Sequence, residues 1–285
     1  MKDDAMSGFD PNWLALREGA DHKARDKALL LKVAQKVGRR DGVSIVDLGC
    51  GTGSNLRAIA PALAQDWQSW TLVDHDPKLL EAAQETLEEW ADDSEAFGEE
   101  LILMKGEKRI TVDLRHVDLA TDFERVLDWR PDMITAAALF DLISEEWMIA
   151  FAIGLARREI AFYTALTYDG REEWTPPHPL DARVKAAFDA HQGRDKGFGP
   201  AAGPGATSAL KRAFSAAGYV VETGDSPWRL GAGDGALIGE LASGIAAAAA
   251  ETGDVSEAQA QEWLAAHGAG ASCLIGHLDL FARPA

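Results

Sequence analysis

Cysteine is nearly absent: the 285 residues hold only Cys50 and Cys273. Two distant thiols support neither a disulfide framework nor a cysteine metal site. Long apolar runs are missing as well. The longest weakly polar stretch, 241–250, is mostly alanine and falls short of the roughly twenty residues needed to span a bilayer. Met1-Lys2-Asp3-Asp4 lacks the apolar core of a secretion signal, so a cytoplasmic protein without a membrane partner is expected. Positive charge is scarce, with 28 Lys and Arg against 46 Asp and Glu and a net charge of -18. Such a chain repels a phosphate backbone, and no Lys/Arg run compensates, so a nucleic-acid acceptor is disfavoured. Paired His or His-carboxylate spacings on one helix are also lacking. The segment Gly276-His277-Leu278-Asp279 places two polar groups opposite Leu278 by strand alternation, and no metal is expected. What is present is ordinary for a sizeable core, at 47% hydrophobic residues.

The most informative stretch runs Val46-Asp47-Leu48-Gly49-Cys50-Gly51-Thr52-Gly53-Ser54-Asn55. Ile45, Val46 and Leu48 read as a buried strand, and Gly49, Gly51 and Gly53 remove side chains that would block close backbone approach of a ligand. The spacing is G-x-G-x-G, with no following Lys-Ser or Lys-Thr, which disfavours a phosphate-gripping loop. Trp70 to Asp74 then reads as a strand ending in a carboxylate. Asp76 caps a helix with Pro77 at its first position, and Leu80, Ala83, Leu87 and Trp90 share one face. Two further elements follow, Arg115-His116-Val117-Asp118-Leu119-Ala120 and the apolar stretch from Asp132 to Leu142.

In this order, across Ile45 to Ile143, the four elements resemble class I S-adenosylmethionine (SAM) methyltransferases, whose first motif VDLGCGTGSNL matches. The resemblance implies an α/β fold, a doubly wound, mostly parallel seven-stranded sheet with helical insertions forming a cap. It implies SAM as cofactor and S-adenosylhomocysteine as product. Asp47, Gly49, Cys50, Gly51, Gly53 and Asn55 would form the cradle. Asp74 would accept from both ribose hydroxyls, with His75 beside it. Asp118, followed by Leu119, would take the adenine amino group. The small residues around Ala136 would let the methionine part lie against the backbone. No Asn-Pro-Pro-Tyr or Asp-Pro-Pro-Tyr follows the fourth strand, where Thr135-Ala136-Ala137-Ala138 stands, so planar amino nitrogens are disfavoured as acceptors.

Four segments are expected: an N-terminal lid and helix (1–44), the SAM-binding core (45–170), a cap insertion (171–204), and the rest of the core (205–285) carrying a helical insertion (226–270). Asp21 to Val37 reads as one helix stopping at Gly38 before Arg39 and Arg40, preceded by a short amphipathic piece, Asn12 to Glu18, whose Arg17 could reach the cofactor. Pro61 should kink the helix after the glycine turn. Residues 101–104 and 109–112 read as a strand pair before or merging with the third core strand. Glu145 to Arg158 reads as a helix, Glu159 to Thr167 as the fifth strand, Thr207 to Ala217 as a helix, Tyr219 to Glu222 as a strand, and Cys273 to Ala282 as the last strand.

Methyl transfer from a sulfonium is a direct displacement, so positioning alone can supply roughly 7–11 kcal/mol, and a base is needed chiefly for acceptors that must lose a proton. His191 is the first candidate base, in a polar segment with Gln192, Asp195 and Lys196; His178 and His75 are alternatives. Asp141 and Tyr168, at the ends of the fourth and fifth strands, should face the methyl group. The expected activity is methylation of a small-molecule acceptor at oxygen or aliphatic nitrogen, with a homodimer left open. The rival readings are a non-catalytic SAM-binding or scaffold protein and a protein or RNA methyltransferase.

Overall fold

Apolar strands alternating with amphipathic helices close into a sheet with helices on both faces. The computed structural model describes residues 10–37, 41–97, 100–268 and 270–285. The expected stop at Gly38, the Arg39-Arg40 pair and Met1 to Asp4 lie outside the described residues. Helices α1 (Pro11–Ala24) and α2 (Lys27–Val37) lead into β1 (Gly42–Leu48), α3 (Ser54–Ile59), β2 (Trp67–Asp74) and α4 (Pro77–Trp90). Then come β3 (Asp93–Phe97), β4 (Glu100–Lys105), β5 (Lys108–His116), α5 (Leu119–Leu127), β6 (Met133–Ala137), α6 (Glu145–Arg158) and β7 (Ala161–Thr175). The chain continues through α7 (Asp181–Gln192), α8 (Ala206–Ala216), β8 (Tyr219–Asp225), β9 (Trp228–Leu230), α9 (Gly235–Glu251), α10 (Glu257–His267) and β10 (Ser272–Pro284).

The strand order is β3-β4-β5-β2-β1-β6-β7-β10-β8, with β9 paired beside β10. Strands β5, β2, β1, β6 and β7 are parallel, and β10 runs antiparallel between β7 and β8. The doubly wound, mostly parallel seven-stranded sheet is therefore present, extended at one edge by β3 and β4. One face is buried by α5, α6 and α8 around Phe140, Phe151, Phe162 and Phe214, the other by α2, α3 and α4 around Val33, Leu56, Trp70 and Leu87. A third cluster, around Trp174, Trp228, Ile238 and Trp263, joins α7, α9 and α10 to the far ends of β7 and β10. No helix among the described residues is long and apolar enough to cross a membrane.

Three boundaries differ from the sequence reading, each because a distant partner intervenes. The helix expected over Asp21 to Val37 is two helices, broken at Arg25, whose backbone is extended. Asp26 caps α2 by accepting from Leu29 N at 2.7 Å, and its own amide donates to Asp279 at 3.0 Å, 253 residues away. β7 continues past Thr167 to Thr175 because β10 pairs with it as far as Ser272. β6 ends at Ala137: Ala138 turns to a φ of 50° and donates to Ala165 O, and Asp141 lies in a 3-10 turn, Phe140–Leu142. The pair 101–104 and 109–112 merges with the third core strand, one of the two expected arrangements: it is a hairpin whose second strand, β5, is that strand. At Pro61 the helix passes into a 3-10 turn, Ala60–Ala62.

Candidate active site

The glycine turn follows β1 at the carboxyl edge of the sheet, where open α/β folds bind ligands. Gly49, Gly51 and Gly53 have φ of 59°, 53° and 76°, a left-handed region that favours glycine. Added side chains would also meet Leu139, Leu14 and Leu87, respectively, at 3.0–3.3 Å. Cys50 N donates to Val73 O at 3.0 Å and Gly51 N to the Asp74 carboxylate at 2.9 Å, which pins the turn to the end of β2. Burial and the carboxylates of Asp74 and Asp47 push the Cys50 thiol well up, so it stays protonated and serves as a small turn residue.

Three acids stand along this edge. Asp74 is buried and its second oxygen accepts from Asp76 N at 3.1 Å, with His75 Nδ1 at 3.4 Å. That hydrogen bond raises the His75 imidazole above its ordinary value. Asp118 caps α5 through Ala120 N at 2.9 Å, and Val117 N donates to Asp74 O at 3.0 Å, tying the ends of β5 and β2 together. Leu119 is buried behind it, and Ala136 on β6 lies beside Leu48 in register. Asp47 is fully buried; one oxygen accepts from Asn55 at 2.5 Å and Thr135 at 2.8 Å. Burial pushes its carboxyl up to about 6.

The interior beside Asp47 holds polar atoms with no protein partner: Asp47 Oδ2, Asn55 Oδ1, and Nε and Nη1 of Arg25. Arg25 is buried at the break between α1 and α2, and its charge acts on Asp47. Buried orphans of this kind are costly unless something completes them. The sequence reading missed Arg25 because nothing local distinguishes it from a surface arginine.

Helix α1 roofs the site with two adjacent stripes of side chains. Leu14, Glu18 and His22 face the glycine turn: Leu14 packs over Gly51, Glu18 makes a two-point ion pair with Arg57, and His22 Nε2 lies 3.0 Å from Ser54 Oγ. Trp13, Arg17 and Asp21 face β9. Arg17 pairs with Asp21 at 2.8 Å and lies 5.2 Å from the Trp228 ring, and Trp228 Nε1 donates to Asp21 at 2.9 Å. Arg17 is thus engaged on the β9 side. A cavity of about 350 Å³ opens beyond α1, lined by Gly19, Ala20, Lys23, Pro227 and Arg229, on the helix face turned away from the glycine turn.

The candidate catalytic residues separate. Asp141 is buried, with Oδ1 unpartnered and its carboxyl pushed up to about 6 by burial. The backbone of Tyr168 hydrogen-bonds Asp141, so these two are neighbours. The Tyr168 hydroxyl donates to Asp189 at 2.9 Å, and burial pushes its phenol up. His191 instead lies on α7 with Nε2 3.0 Å from Glu251. Burial lowers its imidazole, with Lys196 and Arg194 adding to that effect and Glu251 opposing it. His178 Nδ1 accepts from Leu180 N at 3.3 Å in the cap.

His277 is the histidine that neighbours Tyr168, and the Arg17 charge acts on it as it does on Asp141. It pairs directly with Tyr168 across β7 and β10, their rings 6.3 Å apart, and lies 5.2 Å from the Trp228 ring. Nδ1 is buried without a partner, and burial, aided by Arg17, lowers the imidazole to about 4. A β-bulge between Ile275 and His277 sets this register, and a Cβ at Gly276 would overlap Asp169 and Arg171. Strand alternation identified His277 as polar; its partners come from α1, β7 and β9. Among the described residues, no group of three or more His, Cys, Asp or Glu could hold a metal ion.

No protein-family model matches the sequence, and no curated protein matches it. Solved structures do. A candidate methyltransferase from Bacillus halodurans is 13% identical, with 90% of this chain and 100% of that one covered, at a TM-score of 0.50. The YcgJ protein of Bacillus subtilis is 13% identical over 90% and 99%, at 0.47, and the plantazolicin methyltransferase BpumL, solved with S-adenosylhomocysteine, is 12% identical over 96% and 88%, at 0.44. At these identities the likeness is one of fold. With the strand order given above, the chain has the fold of the class I SAM-dependent methyltransferases.

Proposed function

We propose that the protein is a SAM-dependent methyltransferase acting on a small-molecule acceptor at oxygen or aliphatic nitrogen. The observation that carries this reading is the set of unpartnered atoms beside the glycine turn. Asp47 Oδ2 and Asn55 Oδ1 are acceptors without donors, and Arg25 Nε and Nη1 are donors without acceptors. An α-amino acid end group supplies an ammonium for the first pair and a carboxylate for the second. Asp74 and Asp118 at the neighbouring strand ends suit ribose hydroxyls and an adenine amino group. These complements are what SAM carries, and when bound it supplies an electrophilic methyl group. The chain's own residues bind and orient it, and α1 excludes water from above. Because Leu14 packs over Gly51, α1 has to lift for ligand to reach the turn.

Calorimetry with S-adenosylhomocysteine and with methylthioadenosine, which lacks the amino-acid end, tests the reading. Binding of the first at least tenfold tighter than the second is expected, with the difference abolished in Arg25→Met. No binding of either would end it. Incubation of a metabolite extract with isotopically labelled SAM, read by mass spectrometry, then identifies the acceptor.

A further inference from the structure

We propose that the cluster of Asp141, Tyr168, Trp228 and His277 beneath α1 binds the acceptor as a primary or secondary aliphatic amine, with His277 taking its N–H proton. This rests on the methyltransferase reading and narrows it. The argument begins from a donor and acceptor count. Asp141 Oδ1 and His277 Nδ1 are buried and unpartnered. Of the donors nearby, Arg17 Nε and Nη2 and Trp228 Nε1 donate to Asp21 and the Tyr168 hydroxyl to Asp189, and none reaches Asp141 Oδ1 or His277 Nδ1. A ligand completing the cluster has to bring donors. An alcohol brings one O–H and a carboxylate none, but an ammonium brings two or three N–H groups.

The walls agree with that count. Trp228, Tyr168 and Trp13 supply aromatic surface, with Trp13 and Trp228 rings 6.5 Å apart, and the Arg17 guanidinium over Trp228 shows that this ring already faces a cation. The Ile275 backbone hydrogen-bonds the His277 ring, so with the ring proton directed there Nδ1 presents a lone pair.

The proton step balances within the chain. Asp141 holds the ammonium; one N–H bond breaks, its electron pair stays on nitrogen, and the proton joins His277 Nδ1 to give an imidazolium that later releases it to water. The groups facing His277 are Arg17 and Asp21 from α1, Tyr168 and Arg171 from β7, and Trp228 from β9. Burial, with Arg17 and Arg171 opposing Asp21, keeps the ring neutral at rest and makes the imidazolium short-lived.

The test uses the full chain saturated with S-adenosylhomocysteine and the isosteric pair benzylamine and benzyl alcohol, read by tryptophan fluorescence. Benzylamine is expected to bind at least tenfold more tightly than the alcohol, and Asp141→Asn to remove that preference. Equal binding of the two, or a preference unchanged in Asp141→Asn, overturns the proposal. In turnover with labelled SAM and metabolite extract, the label is expected on an amine nitrogen. For that acceptor, His277→Gln should lower kcat about 100-fold, a typical general-base contribution, with S-adenosylhomocysteine affinity unchanged within twofold. Label on oxygen overturns the amine assignment and leaves the methyltransferase reading intact; loss of S-adenosylhomocysteine binding by the unmodified protein removes both. His277→Asn serves as a second variant if His277→Gln does not fold, and full kcat in either overturns the role of His277.

Discussion

The two ends of the sheet hold their functional groups by different means. From β5 to β6 the strands are parallel, and the site is made by backbone: a glycine turn, two helix caps and a carboxylate bound to a main-chain amide. From β7 to β8 the pairing is antiparallel, and the site is made by side chains from distant stretches. Asp279 shows how the second end is held. Fully buried on β10, it accepts from Asp26 N, Tyr163 Oη and Leu166 N at 3.0, 3.1 and 2.9 Å. One carboxylate thus fixes the α1–α2 break and the left-handed turn at Leu166, whose φ is 59°. Local geometry builds the glycine-turn end, proposed to hold most of the cofactor, and long-range polar contacts build the end proposed to hold the acceptor.

The largest effect that could break this contrast is Asp279→Ala. Removing the acceptor strands three donors, and a loss of about 3–5 kcal/mol is expected, as for a broken buried pair. Urea denaturation measures it. A loss below about 1 kcal/mol would mean that the antiparallel end stands without its central carboxylate.

Titration sharpens the contrast next, because Asp47 and His277 shift in opposite directions. Asp47 is raised from 3.8 to about 6 in the folded protein. Its stabilising contribution is therefore full below about pH 4 and is lost as pH rises to about 6, by up to roughly 3 kcal/mol. Asp47→Asn, which can still accept from Asn55 and Thr135, should gain stability at pH 7 and match the parent at pH 4. His277 is lowered from 6.5 to about 4, so its contribution is lost as pH falls through that window. His277→Gln should flatten the acid side instead. Asp141 shifts as Asp47 does, so each variant is compared with the parent rather than one end with the other. Parallel stability curves against pH for both variants would refute the two assignments.

The same division explains what was legible in the sequence. Asp47, the three glycines, Asp74 and Asp118 could be found because each sits at a strand end within a short motif whose backbone geometry is dictated locally. The α6 boundaries were equally plain: Ser144 caps its start through Trp147 N, and Glu159 ends it in a left-handed turn. Arg25 and His277 could not be found that way. Arg25 acquires its place from the Asp26–Asp279 bond, and His277 from a bulge at Gly276 and a register with Tyr168, contacts more than 100 residues apart in sequence. His191 has the composition expected of a base, and its imidazole meets Glu251.

A smaller effect is expected at Asp74, the acid to which the family resemblance assigns the ribose. Asp74→Ala removes the Gly51 anchor together with the proposed ribose hydrogen bonds, and S-adenosylhomocysteine affinity should fall by about 1.5–3 kcal/mol, the range for hydrogen bonds to a charged group. Calorimetry reads it, and an unchanged dissociation constant would put the ribose elsewhere.

The smallest effect should come from His191, and its smallness matters. The imidazole meets Glu251, whose side chain is 63% exposed, so the pair is screened and worth about 0–1 kcal/mol. His191→Ala should therefore change stability by no more than that and leave turnover within about twofold. A general base would show otherwise, since its loss costs about 10²-fold or more. A large drop in kcat for His191→Ala, with His277→Gln unaffected, would return the proton-accepting role to the cap. It would also mean that α7 moves toward Asp141 during turnover, because in the present arrangement His191 is held by a different helix, α9.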